Sequence, residues 1–219
     1  MNKLAAFDMD GTLVEGRFVF ALSGSLGLDG KVREIQADAR LSNFEKTRDI
    51  ARLFAGVARK DFESAIESIP LAKNCERALA ALRKHGFAMG IISDSYTVAA
   101  GYLAARLDMG FVAANDLQFE NGVATGRVVM PLGWEKIGCF CKLSVCKRFH
   151  LETHAHRLGI AIANTAAIGD SRGDVCMVRC AGAGIAFMPK DAEIEAATGQ
   201  IVREPDMMQV ARLLLGAAP

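Results

Sequence analysis

The sequence predicts an α/β fold with a doubly wound, Rossmann-like parallel sheet, and two observations predict it. Short runs of apolar residues, typical of strands buried on both faces, alternate with stretches of helical periodicity. Such alternation is expected when helices connect parallel strands across both faces of a sheet. With 51% hydrophobic residues, the 219-residue chain can bury a sheet of this kind. The apolar runs are residues 4–7, 88–92, 165–168 and 183–187.

Helical patterns lie between the apolar runs. Residues 76–84 and 175–180 are each closed by a turn that contains glycine, which is a common end of a helix. Residues 97–106 and 143–151 are recognised by their periodicity. We therefore expect a helix at each of these four places.

A long segment after the first apolar run departs from this rhythm. Residues 15–73 contain no comparable strand run, but they do contain helical patterns at 32–41, 44–55 and 61–68. The segment therefore predicts a small helical cap domain inserted after the first strand. The remaining core would consist of residues 1–14 and 74–219.

A second departure predicts a β-hairpin flap. Residues 117–129 place Asn121 and Gly122 between two extended segments. Asn-Gly is the strongest short signal for the type I′ turn that joins two antiparallel strands. We expect this hairpin to be an addition to the parallel core.

Composition excludes several classes of function. The 26 basic and 25 acidic residues give a net charge of +1, so no broad field favours nucleic acid. No apolar stretch approaches the ~18 residues of a membrane span, so no membrane partner is expected. A chain of this size does not need disulfides, and we interpret its six cysteines as reduced and the protein as cytoplasmic. Composition leaves the oligomeric state open.

Acidic and hydroxyl residues follow three of the apolar runs. In a parallel sheet, the crevice beyond the carboxyl ends of the strands binds ligands, so these residues should meet. The crowded carboxylates would need a cation, and an all-oxygen site suits Mg²⁺. The predicted metal-site residues are Asp8, Asp10, Asp170 and Asp174, and the three segments are Asp8-Met9-Asp10-Gly11-Thr12, Ser93-Asp94-Ser95 and Gly169-Asp170-Ser171-Arg172-Gly173-Asp174.

A metal-bound carboxylate beside a hydroxyl group and a lysine is typical of phosphoryl transfer on a small phosphorylated metabolite. Asp8 is predicted as the nucleophile, and Asp10 as the acid and base that serve the leaving group and the attacking water. The Ser93 hydroxyl can donate to a phosphoryl oxygen. Lys142 is the first choice for the fixed positive charge that the reaction needs, Lys136 is the second, and Lys147 is also nearby.

These motifs resemble the haloacid dehalogenase-like superfamily, and within it the phosphoserine phosphatase-like branch. Asp8 to Val14 resembles the first motif, Ser93 the second, Lys142 the third, and Asp170 with Asp174 the fourth. The resemblance implies an aspartyl-phosphate intermediate on Asp8. It also implies Mg²⁺ held by Asp8, the Asp10 carbonyl and Asp170, with Asp174 as a supporting carboxylate.

Two departures concern the substrate. Near the position where the phosphoserine enzymes are expected to carry an acidic residue, this chain has Arg17, with Glu15 two residues away. Arg17 would favour a substrate with a second anionic group. The usual Ser-Gly-Gly is replaced by Ser93-Asp94-Ser95, which leaves serine specificity open. The predicted substrate-binding residues are Arg17, Phe44, Arg48, Thr12 and Asp94.

Three alternatives stay open from the sequence. The protein could be a phosphotransferase that passes the phosphoryl group to a small alcohol, or a non-catalytic binding protein that keeps the fold. Separately, Cys146, His150 and His154 lie at successive i, i+4 positions that could bind zinc. No obvious fourth ligand accompanies them.

Overall fold

A computed structural model describes residues 2–216, and within them the strands form a single mixed sheet. The strands are β1 (Lys3–Phe7), β2 (Phe87–Tyr96), β3 (Phe111–Glu120), β4 (Val123–Val129), β5 (Thr165–Gly169), β6 (Ala183–Phe187) and β7 (Ile201–Val202). Their order is β4-β3-β2-β1-β5-β6-β7. Neighbouring strands are parallel except β3 and β4, which are antiparallel. The predicted α/β fold class is confirmed.

Helices connect the strands, and four of them follow β1 directly. These four are α1 (Phe18–Ser25), α2 (Asp29–Ala37), α3 (Asn43–Leu53) and α4 (Arg59–Ser68). The others are α5 (Cys75–Lys84), α6 (Thr97–Arg106), α7 (Trp134–Ile137), α8 (Lys147–Arg157), α9 (Val175–Cys180), α10 (Ala192–Glu195) and α11 (Met207–Leu215). Single 3₁₀ turns precede β5 and α9.

All four predicted strand runs lie within observed strands, and the apolar side chains of the central strand, β1, are fully buried. Leu4 of β1 is level with Ala88 of β2 and with Thr165 of β5. The three strands therefore end at the same edge of the sheet. Each strand was recognisable because a run of apolar residues is what a strand buried on both faces requires.

Helix α8 differs from its prediction at both ends. Helices α6 and α9 have the predicted bounds, but α8 begins at Lys147 and not at residue 143. The chain before α8 is held as a loop, where the N–H of Leu132 donates to the Ser144 carbonyl and the N–H of Cys146 donates to the Leu132 carbonyl. These tertiary bonds delay the start of the helix by one turn, which local periodicity does not reveal.

The helices of residues 18–68 pack against the sheet through aromatic side chains. Helix α4 lies on α1 and α6, and α3 lies on β4. Phe62 contacts Phe18, Phe54 and Phe119, with ring centroids 5.3–6.3 Å apart. One continuous hydrophobic cluster joins these helices to the sheet.

The β3–β4 hairpin turns at Asn121 and Gly122, whose φ angles of 50° and 80° suit the predicted turn. Its tip is bound to the helical segment, because the Gly56 N–H donates to the Ala124 carbonyl and the Ala124 N–H donates to Val57. The hairpin is thus an extension of β3 that also supports α3. Among residues 2–216, no helix is both long and apolar enough to cross a membrane.

Candidate active site

Three buried carboxylates meet at the carboxyl edge of the sheet. Asp8 follows β1, while Asp170 and Asp174 follow β5, and each side chain can place an oxygen within 4.8 Å of the other two. The residues are at most 4% exposed. Adjacent parallel strands bring them together, as the sequence predicts.

Lys147 supplies the fixed positive charge between these carboxylates. Its Nζ lies 2.6 Å from Asp8 Oδ1 and 2.5 Å from Asp174 Oδ1. Burial lowers the pKa of Lys147, but Asp174 and Asp8 outweigh that effect and hold it well above its usual value. The lysine therefore stays charged. We call Asp8, Asp170, Asp174 and Lys147 the cleft floor.

The prediction of Lys142 for this role is wrong in position. Lys142 is exposed and lies in the loop before α8 with φ of 47°, five residues from the lysine that contacts Asp8. Lys136 is also exposed, with its Nζ over the ring of Phe149. The sequence predicts the lysine at the start of the helix, and the predicted position is wrong because the helix begins later than its periodicity indicates.

A second lysine, Lys190, was not predicted. It follows β6 by three residues, forms an ion pair with Asp170 Oδ2, and its backbone N–H donates to the Asp170 carbonyl. This approach requires glycine at position 11, where an added Cβ would lie 2.1 Å from Asp170 Oδ2 and 2.2 Å from Lys190 Nζ. The sequence contains a signal that could have identified Lys190, because residues that follow β6 also lie at the carboxyl edge of the sheet.

Asp10 is set apart from the three carboxylates of the floor. Its Oδ1 accepts a hydrogen bond of 2.6 Å from the Phe18 N–H at the start of α1. Burial raises the pKa of Asp10 to about 7, although the Phe18 bond lowers it. Within residues 2–216 its side chain is not part of the group that could hold a metal. A carboxyl group with this pKa is suited to donate and accept a proton near neutral pH.

The charge of the site fits a divalent cation. Burial raises the pKa of Asp8, Lys147 lowers it, and Asp174, Asp170 and Asp94 raise it further. The three carboxylates of the floor and Asp10 face two ammonium groups, those of Lys147 and Lys190. Two further positive charges would balance the site, and oxygen donors of this kind suit Mg²⁺.

The second predicted segment lies within β2. Ser93 is fully buried and its Oγ accepts from the Ser95 N–H at 3.2 Å, while Asp94 and Ser95 line the cleft. The pairing of β2 with β3 is irregular here, between Ile92 and Tyr96. Thr12 is also fully buried, and among residues 2–216 its Oγ1 has no hydrogen-bond partner. The binding roles of Ser93 and Thr12 stay predictions.

Two adjoining cavities form the cleft, and Asp10, Arg17 and Asp94 line both of them. The inner cavity is lined by Asp8, Asp170 and Lys147 of the floor. The outer cavity lies between the carboxyl edge and the helices after β1. We call the side chains on the helical side the cleft wall, and they are Arg17, Gln36, Asn43, Lys46 and Thr47.

Two predicted substrate contacts, Phe44 and Arg48, are not part of the cleft wall. Residues 43, 46, 47 and 50 of α3 line the cleft, which is one face of a helix. Phe44 is rotated off that face and packs on Trp134, with ring centroids 6.2 Å apart. Arg48 is exposed and pairs with Asp49. The sequence identified the helix but not which of its faces meets the site.

The predicted Cys146, His150 and His154 group does not assemble. His154 stacks on Phe111 at 4.0 Å between ring centroids. Cys146 instead joins three other cysteines, Cys139, Cys141 and Cys176. Among the described residues, this cysteine cluster and the carboxylates of the floor are the groups that could hold a metal ion.

The doubly wound sheet and the acid–lysine floor at its carboxyl edge define an α/β protein with an aspartate-based site. Residues 5–179 match the haloacid dehalogenase-like hydrolases, so the chain belongs to that family. The family resemblance of the motifs is therefore confirmed.

Known relatives are phosphoserine phosphatases. The enzyme of Albidiferax ferrireducens is 32% identical over 204 residues, which cover 91% of this chain and 84% of the relative. Phosphoserine phosphatase SerB2 of Mycobacterium tuberculosis is 30% identical over 203 residues. These cover 91% of this chain and 47% of SerB2, so the chain spans about half the length of that relative.

Solved structures agree on the fold. A substrate-bound phosphoserine phosphatase complex superposes with a TM-score of 0.80 at 23% identity, covering 97% of this chain and 98% of the other. A phospho-aspartyl intermediate analogue of phosphoserine phosphatase gives the same TM-score, identity and coverage. At this identity the likeness concerns the fold.

Proposed function

We propose that this protein is a Mg²⁺-dependent phosphatase that hydrolyses a small phosphate monoester through an aspartyl-phosphate on Asp8. The observation that carries the proposal is the contact of Lys147 with both Asp8 and Asp174 inside a buried group of three carboxylates. A buried nucleophile that is held by a fixed cation beside a metal-binding group is what phosphoryl transfer requires.

The metal would be held by Asp8 and Asp170. Asp174 is already engaged, because its Oδ1 accepts from Lys147 and its Oδ2 accepts from the N–H groups of Asp170 and Ser171. It therefore fits the supporting role that the family resemblance implies. A bound Mg²⁺ would keep Asp8 ionised and neutralise charge on the phosphoryl oxygens.

In the first step, an Asp8 oxygen attacks phosphorus and the bond from phosphorus to the ester oxygen breaks. Asp10 donates its proton to the departing oxygen. In the second step, Asp10 takes a proton from water, the water oxygen attacks phosphorus, and the bond to Asp8 breaks to release phosphate. The pKa of Asp10 near 7 allows both transfers at neutral pH.

The segment of residues 15–73 would act as the cap that covers this chemistry. Asn43 of α3 accepts a hydrogen bond of 2.8 Å from the Ser144 N–H in the loop before α8. This contact joins the helical segment to the core beside the outer cavity, which Asn43 also lines. Breaking this hydrogen bond would open the outer cavity to substrate. Closing the cavity again would exclude water before the phosphoryl group leaves the substrate.

We further propose that the substrate carries a carboxylate. The cleft wall presents the Arg17 guanidinium and the Lys46 ammonium, and its other members are uncharged. Asp94, at the junction of the two cavities, offers the complementary charge for an ammonium group. Together they suit a phosphorylated amino acid, and O-phosphoserine, the substrate class in the relatives' names, is the first to test.

A substrate panel tests the function. Phosphate release should require Mg²⁺, stop with EDTA, and be faster with O-phosphoserine and phosphoglycolate than with phosphoethanolamine, which has no carboxylate. Added small alcohols should leave the yield of free phosphate unchanged, because water is the acceptor. Turnover of phosphoethanolamine alone would contradict the substrate proposal, and transfer to the alcohol would indicate a phosphotransferase.

The free cysteines support a cytoplasmic location.

A further inference from the structure

A cluster of four cysteines lies next to Lys147, which follows one of its members, Cys146, in the chain. The Sγ atoms of Cys139, Cys141, Cys146 and Cys176 all lie within 4.8 Å of one another. Three of these residues are buried, and Cys141 is half-buried. They come from the loop before α8, from the residue that precedes α8, and from α9, so tertiary folding gathers them.

The dimensions of this cluster match a mononuclear tetrahedral metal site. With zinc–sulfur bonds of about 2.3 Å, the sulfurs of a tetrahedral site are roughly 3.8 Å apart. Because every pair of sulfur atoms lies within 4.8 Å, small movements of the side chains would bring the four sulfurs into that tetrahedron. Four thiolates are a typical ligand set of structural zinc, and their softness disfavours Mg²⁺.

The surroundings of Cys141 favour its thiolate, whereas the contacts with Cys141 raise the pKa of Cys146 and of Cys176 above its usual value. Hydrogen bonds from the thiols of Cys146 and Cys176, together with the Leu143 backbone N–H, hold the pKa of Cys141 well below its usual range. Cys141 is also the member of the cluster with partial access to solvent, which gives a metal ion a path of entry.

We infer that Cys139, Cys141, Cys146 and Cys176 bind one structural Zn²⁺ ion that joins the loop before α8 to helix α9. On binding, the cysteines that are still protonated release their protons to solvent and each sulfur forms one bond to zinc, so no oxidant is needed. The ion would hold together two segments of the active site, because Lys147 follows Cys146 directly and Asp174 precedes Cys176 by two residues.

The full-length protein tests this inference directly. Protein produced with zinc in the medium and purified under reducing conditions should retain about one zinc per chain after dialysis, as measured by elemental analysis. Replacement of zinc by Co²⁺ should produce the visible bands and the thiolate-to-cobalt charge-transfer absorption of a tetrahedral thiolate site. Cobalt in the carboxylate site has no sulfur ligand and cannot produce that charge-transfer absorption.

Two serine variants and a matched control locate the ion. Cys141→Ser and Cys176→Ser should each weaken zinc binding by at least about tenfold, because changes merely to the partners of metal ligands already cost about 10- to 100-fold. Cys180→Ser is the control: Cys180 lies one turn after Cys176 on α9, is half-buried and contacts Glu152 outside the cluster. It should keep the zinc and the cobalt spectrum of the unsubstituted chain.

Two results would overturn the inference. One is unsubstituted protein that is folded and reduced but binds neither zinc nor cobalt through sulfur. The other is a disulfide within the cluster in freshly purified protein. Because both measurements use the unsubstituted chain, a variant that fails to fold leaves the test intact.

Discussion

The cleft floor and the cleft wall face the same cavities, but they are built differently. On the floor, Asp8, Asp174 and Lys147 are buried and hold one another through bonds of 2.5–2.6 Å. On the wall, Arg17 is exposed, and the Lys46 ammonium donates to the Gln36 carbonyl on the neighbouring helix.

The difference has a physical origin. Floor residues sit at the ends of hydrogen-bonded strands or at the start of a packed helix, so the backbone fixes each position and burial strengthens each charge. Wall residues are partly exposed side chains on helices, where water screens charge and a substitution costs little stability. The comparison indicates that changes to the floor should affect chemistry, and changes to the wall should affect the choice of substrate.

The largest effect is expected for Asp8→Asn. Loss of the nucleophile should lower kcat by about 10⁴-fold or more, as removal of other enzymatic nucleophiles does. The melting temperature should stay the same or rise, because one of several crowded carboxylates is neutralised while Lys147 keeps Asp174. Steady-state phosphate release and thermal unfolding provide the two measurements. Near-normal Mg²⁺-dependent turnover by this variant would exclude the proposed mechanism.

The next effect concerns Lys147→Gln. Loss of the charge between Asp8 and Asp174 should lower kcat by roughly 10²- to 10³-fold, in the range seen for removal of one electrostatic contact at a reacting centre. It should also lower the melting temperature, since two buried carboxylates lose their partner.

Lys142→Gln is the matched control, five residues away and exposed. It should leave both kcat and the melting temperature nearly unchanged. If Lys142→Gln were the more damaging of the pair, the positions of the two lysines in the structure would be wrong.

Asp10→Asn should give a loss of about 10²- to 10⁴-fold, largest for substrates with poor leaving groups. The raised pKa of about 7 means that the proton needed in the first step is present below that pH and lost above it. For slow leaving groups, kcat/KM should therefore fall as the pH rises through 7. The variant should lack this decline, and a pH profile of kcat/KM for both proteins compares them. An unchanged decline in Asp10→Asn would assign the titration to another group.

The smallest effect is expected on the wall. Arg17→Gln should raise KM about tenfold for phosphoglycolate and O-phosphoserine, as expected for loss of one charge-assisted contact. For phosphoethanolamine KM should change little, and kcat should be nearly constant for all three. Arg33→Gln, another exposed arginine of the helical segment that pairs with Asp29, is the control. Equal changes in KM for all three substrates would mean that Arg17 does not bind the carboxylate.

Several elements of the site were determined by local sequence. The apolar runs defined strands β1, β2, β5 and β6, because a strand buried on both faces needs consecutive apolar residues. Acidic residues directly after two of these runs then had to meet, because neighbouring parallel strands end at one edge. For this reason the meeting of Asp8, Asp170 and Asp174 could be predicted from the sequence, whereas the bond from the Phe18 N–H sets the Asp10 side chain apart from them.

Tertiary structure decided the features that depend on where a loop ends or which way a helix faces. Bonds between residues 132 and 146 postpone α8, so Lys147 and not Lys142 reaches Asp8. Packing of α3 on β4 turns Asn43 and Lys46 toward the cleft while Phe44 packs on Trp134.

The cysteine cluster shows most clearly that local sequence does not determine contacts between distant segments. Its members are spread over residues 139–176, and their spacing matches no short metal-binding motif. Local periodicity encodes strands and helices because each depends on neighbours in the chain. Contacts between α8, α9 and the preceding loop depend on packing between segments, and the folded chain alone sets them.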